Sequence, residues 1–237
     1  LSGGVNAWRD VIAKQDTWIV QKLRQAGAVV MGQANMDNWA SSATSSTSQI
    51  AGTVRNPDLQ GALPGGSSRG SGVSAGAYLT NFTFGGETGG SIRNPGDRNG
   101  LVAYKVSGGS ISVDGIIPLV PERDVIGPMT RNAKDNAIIR DVVGVKDPKD
   151  PWAPILPILE DRRKVPETGF ATAADKYTLT GKRFGVIGTY VGLPHPNPGF
   201  GATTNTTGVQ TTLPNTKALI DQMMVDMRAA GASIDYV

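Results

Sequence analysis

The sequence predicts an α/β protein, a mixed sheet flanked by helices on both faces. Three observations predict it. Short apolar, strand-like segments alternate along the chain with capped amphipathic helices. Small residues between Gly70 and Leu79 (Ser71, Ser74, Ala75, Gly76, Ala77) suit a helix packed tightly on a sheet. A length of 237 residues at 39% hydrophobic content is enough for a sizeable core, and residues 1–237 read as a single domain.

The elements follow in order. Asp16 is placed to cap a helix running to about Ala26, with Ile19, Val20 and Leu23 on its buried face and Gly27 ending it. Ala28 to Gly32 reads as a short buried strand. The Ser/Thr-rich stretch from Ser41 to Leu59, with Asn56-Pro57, is a loop. Asn81 to Phe84 is a strand, and Leu101 to Val106 and Ile116 to Leu119 are further strand or extended segments. Thr130 or Asn132 caps a helix reaching Val143, with Gly144 as its stop. Gly144 to Thr180, rich in Pro, Asp and Lys, reads as a surface excursion, and Phe184 to Ile187 as a core strand. A proline-rich loop holds Pro194, Pro196 and Pro198. The last helix spans about Asn215 to Ala230, with Leu219, Ile220, Met223, Met224 and Met227 at helical spacing as core, and Ala232 to Val237 has a strand pattern.

Composition narrows the function. Cysteine is absent, which excludes disulfides and thiol catalysis. One histidine then leaves only carboxylates as metal ligands, so no metal or other cofactor is expected. A net charge of +3, scattered along the chain, is too small to argue for nucleic acid, and no apolar run approaches the length of a membrane span. The chain reads as soluble, with a slight lean to the cytoplasm. Of two glycosylation sequons, Asn81 is expected at the start of a buried strand and Asn205 in a polar loop.

Glycine is abundant, 31 residues, and the excess gathers between Gly61 and Gly109. Two segments there carry the chemistry: Gly65-Gly66-Ser67-Ser68-Arg69-Gly70-Ser71-Gly72 and Gly85-Gly86-Glu87-Thr88-Gly89-Gly90-Ser91-Ile92-Arg93. Ser67 and Ser91 each follow a glycine pair. Without Cβ atoms, such a pair lets backbone N–H groups converge on a small volume. A serine at its end can attack a carbonyl while those N–H groups receive the developing oxyanion. Either segment alone reads more simply as a polar turn.

Together, in this order and spacing, they resemble the amidase signature family of serine amide hydrolases. Matching segments at Gly27 to Met36, Asp114 to Leu119 and Arg123 to Arg131 extend the resemblance from about Asp16 to Asp150, and more weakly to the end. The resemblance implies a small-molecule amide substrate. It makes Ser91 the acyl-forming nucleophile and Ser67 the bridging serine, preceded by a cis peptide bond. It assigns the oxyanion hole to the N–H groups of Thr88, Gly89, Gly90 and Ser91. Ser68, Glu87 and Arg93 form the hydrogen-bonded shell. The implied base is an unprotonated lysine, which takes the proton of the bridging serine as that serine takes the nucleophile's.

The sequence departs from the pattern at the base. In the family the lysine lies in a strand–Lys–Asp motif upstream of the segment matching Leu1 to Gly4, and that motif is not present. Lys14 precedes the first helix cap, Lys22 lies inside the helix, and Lys105 reads as structural. Arg69 replaces the usual glycine after the paired serines, where its bulk is expected to crowd the substrate channel. Glu87 stands where many members have Asp, and Gln33 replaces a frequent Lys. The start at Leu1 and the strand-like stop at Val237 read as an internal fragment, truncated at both ends, that self-associates or keeps a companion segment of its parent.

Three alternatives compete. The chain is a noncatalytic fragment or binding module descended from an amidase, or the amide-transferring subunit of a tRNA-dependent amidotransferase. A Ser-His-Asp hydrolase would need His195, which sits in the proline-rich loop with no Gly-x-Ser-x-Gly elbow beside it.

Overall fold

The computed structural model describes residues 2–41, 47–155, 166–188 and 214–237, with only the backbone described at 214 and 215. Two compact units divide the chain, Leu1–Asp175 and Lys176–Val237. Helices and strands alternate, and parallel and antiparallel pairs both occur.

In the first unit, helix α1 (Trp18–Gln25) is capped by Thr17, whose Oγ1 accepts from Val20 N–H at 3.5 Å. Asp16 takes another role, bonding Arg24 Nε at 2.9 Å through its carboxylate. Ile19 is the buried residue of this helix, with Leu23 packed beside it. The expected strand at Ala28 to Gly32 does not form: Val29 is 83% and Met31 79% exposed. An apolar run becomes a strand only where a neighbouring strand takes up its backbone hydrogen bonds, and no described strand pairs with it here.

After a short hairpin of β1 (Thr47–Ser48) and β2 (Gly52–Thr53), α2 (Arg69–Gly76) leads into β3 (Phe82–Glu87), which runs further than expected, through Gly85 and Gly86. Asn81 precedes it and is exposed, not buried as its place beside a strand suggested. A short helix α3 (Arg93–Arg98) and β4 (Val102–Ala103) follow; only these two residues of the Leu101 to Val106 segment join the sheet, and Ile116 to Leu119 forms no strand.

The central strand is β5 (Val125–Thr130), every residue of it buried. It lies antiparallel to both neighbours in the order β3-β5-β4, with Gly85 opposite Gly127 and Phe84 opposite Pro128. A proline in a central strand is unusual because it donates no ladder bond. Here Pro128 C=O accepts from Tyr104 N–H at 3.1 Å, so its missing N–H faces the side where β4 ends at Ala103. The ladder to β3 is spared.

Helix α4 (Ala133–Val143) covers the sheet, capped by Asn132, whose Oδ1 accepts from Asp135 N–H at 2.8 Å, and stopped at Gly144. Ile139 and Val143 join Ile19, Val106, Ile111, Val125 and Ile126 in the core. The stretch after Gly144 is less superficial than expected. Asp147 and Asp150 are buried, Ser112 Oγ donates to Asp147 at 2.6 Å, and α5 (Phe170–Lys176) begins on the Asp141 carboxylate.

The second unit is a βαβ turn of the chain: β6 (Arg183–Val186), α6 (Pro214–Ala229) and β7 (Ser233–Tyr236), the strands parallel. Met224, Ala232 and Ile234 are buried in it, but Leu219 is 71% exposed and Phe184 and Met223 are also exposed. The methionine stripe and the Phe184 strand are therefore only partly core among the described residues. His195, Asn205 and the proline-rich loop lie outside the described residues.

Candidate active site

The two glycine–serine segments meet. The first forms the approach to α2, and its Gly66–Ser67 peptide bond is cis. Gly65 adopts φ +79°, and a Cβ there would lie 2.5 Å from Asn94 Oδ1 and 2.8 Å from Pro95 Cα, so only glycine lets this loop press on the start of α3. Asn94 Oδ1 also accepts from Gly66 N–H at 3.1 Å. Ser67 is 2% exposed, and its carbonyl accepts from Asp37 N–H at 3.1 Å. Ser68 ties the segments together: its N–H donates to Ser91 C=O at 3.4 Å, and its Oγ to Gly86 C=O at 3.2 Å.

The second segment is a turn clamped at its root by Glu87, a buried carboxylate at the end of β3. Glu87 Oε2 accepts from the backbone N–H groups of Ile92 (2.9 Å) and Arg93 (3.0 Å), and Oε1 from Arg93 Nε (2.7 Å) and Nη2 (2.6 Å). Burial pushes the Glu87 carboxyl up. The Arg93 guanidinium and the two backbone donors outweigh it and hold the carboxyl below its ordinary value. The Arg93 guanidinium is raised in return by its hydrogen bond and charge pairing with Glu87.

A second anchor was not singled out in the sequence. Thr88 Oγ1 donates to Asp124 Oδ1, while Asp124 Oδ2 accepts from Leu119 N–H (2.6 Å) and Val120 N–H (2.9 Å). Asp124 was visible only as part of the Arg123 to Arg131 match. Between the anchors Gly90 takes φ +130°, and a Cβ at Gly86 or Gly90 would meet nothing within 4 Å. Ser91 is half-buried at the end of this open turn.

Arg69 does not point outward. It is fully buried in an ion pair with Asp37, and burial pushes its guanidinium down to about 10, which leaves it charged at neutral pH. Lys14 is exposed, and Lys22 lies over the Trp18 ring, 4.2 Å from its centroid. Beside Thr88 and Gly89 opens a cavity of about 520 Å³ whose walls include Lys105, Glu122, Arg123 and Trp152. Among the described residues, no group of three or more His, Cys, Asp or Glu could hold a metal ion, and no helix is long and apolar enough to cross a membrane.

The sequence model of the amidase family matches residues 1–222. The chain belongs to the amidase family. It is 40% identical over 142 residues to a glutamyl-tRNA(Gln) amidotransferase subunit of Sulfurisphaera tokodaii, covering 60% of this chain and 30% of that protein. The native peptide amidase of Stenotrophomonas maltophilia matches in structure with TM-score 0.80 at 30% identity, over 100% of this chain and 44% of its own. The corresponding glutamyl-tRNA(Gln) amidotransferase subunit of Thermotoga maritima gives TM-score 0.81 at 25% identity, over 100% of this chain and 46% of its own. The chain therefore spans less than half the length of each of these amidase-family relatives, and its mixed helices and sheets have the amidase signature fold.

Proposed function

We propose that these residues carry the nucleophile half of a serine amide hydrolase acting on a small-molecule amide. The observation that supports this best is the joining of the Ser67–Ser68 loop to Ser91, just before the Ile92 and Arg93 N–H groups that Glu87 holds. In this reading Ser91 Oγ attacks the amide carbon, and the C=O electrons move onto oxygen. The N–H groups of Thr88, Gly89, Gly90 and Ser91 receive that charge, and fixed donors of this kind cost no reorganisation during the reaction. Ser67 takes the proton of Ser91 and passes its own to a lysine. The proton returns to the leaving amine, and water then cleaves the acyl-serine. Ser68, Glu87 and Arg93 hold the frame. The strand–Lys–Asp motif assigned to the base has no counterpart in residues 1–237.

The test is labelling with a serine-directed fluorophosphonate followed by peptide mapping. In a protein that joins these residues to a strand–Lys–Asp segment, the adduct maps to Ser91; residues 1–237 alone label far more slowly. An adduct at any other serine, with Ser91 unmodified, overturns the assignment. A second reading, the amide-transferring subunit of a tRNA-dependent amidotransferase, is favoured by the identity to glutamyl-tRNA(Gln) amidotransferase sequences. It uses the same serine chemistry but delivers ammonia to a charged tRNA through partner subunits, so glutaminase activity that rises on adding such subunits would select it. In a third, the residues form a noncatalytic binding module, and Ser91 stays unlabelled even with the lysine segment restored.

A further inference from the structure

We infer that the cavity beside the Thr88–Ser91 turn is a specificity pocket for a carboxylate carried by the amide substrate. The inference deepens the hydrolase reading and rests on it for the word substrate; the binding site itself does not.

Three cations reach this cavity, Arg93, Lys105 and Arg123, against one anion, Glu122. Arg93 is already neutralised, with Nε and Nη2 both engaged by Glu87. Lys105 and Arg123 are exposed and make no ion pair with a described residue. Two exposed cations on one concave wall make its local potential positive, which draws an anion to it.

The placement of Arg123 is specific. A Cβ on Gly89 would lie 3.7 Å from Arg123 Nη2, so the guanidinium packs against the glycine turn assigned to the oxyanion hole. Its backbone is fixed as well. Arg123 N–H donates to Val120 C=O at 2.9 Å, and the next residue, Asp124, binds Thr88 on the same turn. A planar guanidinium held this way suits a carboxylate, whose two oxygens it can bond together. Lys105 adds a second charge, and Trp152 supplies an apolar surface for the carbon spacer. Glu122 weakens the attraction and disfavours substrates with two carboxylates.

The test is equilibrium binding by calorimetry of two near-isosteric probes, succinamate and butyramide, which differ by a carboxylate in place of a methyl group. Succinamate should bind at least about tenfold tighter at roughly 50 mM salt, and the difference should shrink as added salt screens the charges. Arg123→Ala should remove most of the preference and Lys105→Ala part of it, while Glu122→Gln should strengthen it; Lys105 and Glu122 are exposed residues, so those variants remain informative if Arg123→Ala does not fold. Equal affinities, including no measurable binding of either probe, overturn the inference, as does a preference that survives both cation substitutions. A preference that follows these variants while Ser91 resists the fluorophosphonate supports the anion site and defeats the hydrolase reading instead.

Discussion

Glu87 and Arg93 close the glycine turn like a buckle: one carboxylate of β3 bonds the Arg93 guanidinium at 2.7 Å and the Arg93 backbone N–H at 3.0 Å. Four donors converge on this side chain, so replacing it leaves buried N–H groups unsatisfied. Glu87→Gln, which keeps the shape but loses charge and turns one acceptor into a donor, should cost about 1–3 kcal/mol in denaturant unfolding. In a protein with turnover it should also lower kcat by about 10²-fold or more, since the turn it frames is the one assigned to the oxyanion.

The same carboxylate carries a pH signature. Its folded value lies below that of the unfolded chain, so the unfolded state binds a proton that the folded state refuses, and acid favours unfolding. The stabilisation is complete above the unfolded value, about pH 4.3, and disappears as pH falls through the lower folded value. The stability difference between wild type and Glu87→Gln, measured by urea melts, should be flat near neutrality and shrink toward zero in acid. A difference that grows in acid would mean that Arg93 does not stabilise the charged form.

Ser91 and Ser67 separate nucleophile from relay. Ser91→Ala should reduce turnover by about 10⁴-fold or more and abolish fluorophosphonate labelling. Ser67→Ala should cost about 10²–10⁴-fold, the range for a proton-transfer group, while slow labelling of Ser91 persists. Circular dichroism checks that both variants stay folded.

Two glycines of neighbouring strands offer a contrast in packing. A Cβ on Gly127 would come within 2.1 Å of Tyr104 C=O, which cannot move without breaking the β4 edge. Gly127→Ala should therefore cost about 1–3 kcal/mol. At Gly86, in β3 opposite Ile126, a Cβ meets nothing within 4 Å. Gly86→Ala should change stability by less than about 0.5 kcal/mol. Thermal melts of the two variants side by side decide the point.

The buried pair of Arg69 and Asp37 should respond unequally to single and double substitution. Asp37→Ala strands a cation in the interior and should cost about 3–5 kcal/mol. Changing both residues, Asp37→Asn with Arg69→Met, should recover most of that loss, because no charge is then left unpaired. A double variant as unstable as Asp37→Ala would show that the pair itself, and not the avoidance of an orphan charge, holds this loop.

The sequence by itself determined what depends on near neighbours. The helix from Asn132 to Gly144 was legible because its cap and its stop are single residues acting over one turn. The two glycine–serine segments were legible because glycine pairs and hydroxyls announce the same backbone geometry wherever they occur, and the cis bond before Ser67 came with the resemblance they support. Even so, Thr17 rather than Asp16 caps α1, a one-residue choice that local propensity does not resolve.

Tertiary structure alone decided the rest, where the partners are far apart in the chain. Asp124 reaches Thr88 across 36 residues, and nothing near Asp124 announces it. Strand β5 hid behind Pro128, whose missing N–H is harmless only because β4 stops one residue short of it. The apolar run at Val29 to Met31 looks like a strand and is none, since an extended segment needs a neighbour to bond. Lys105 and Arg123 come to one wall only when β3, β4 and β5 have paired. Caps and turns are contacts between residues a few positions apart, whereas sheets, clamps and pockets are contacts between distant ones, and those exist only once the chain has closed on itself.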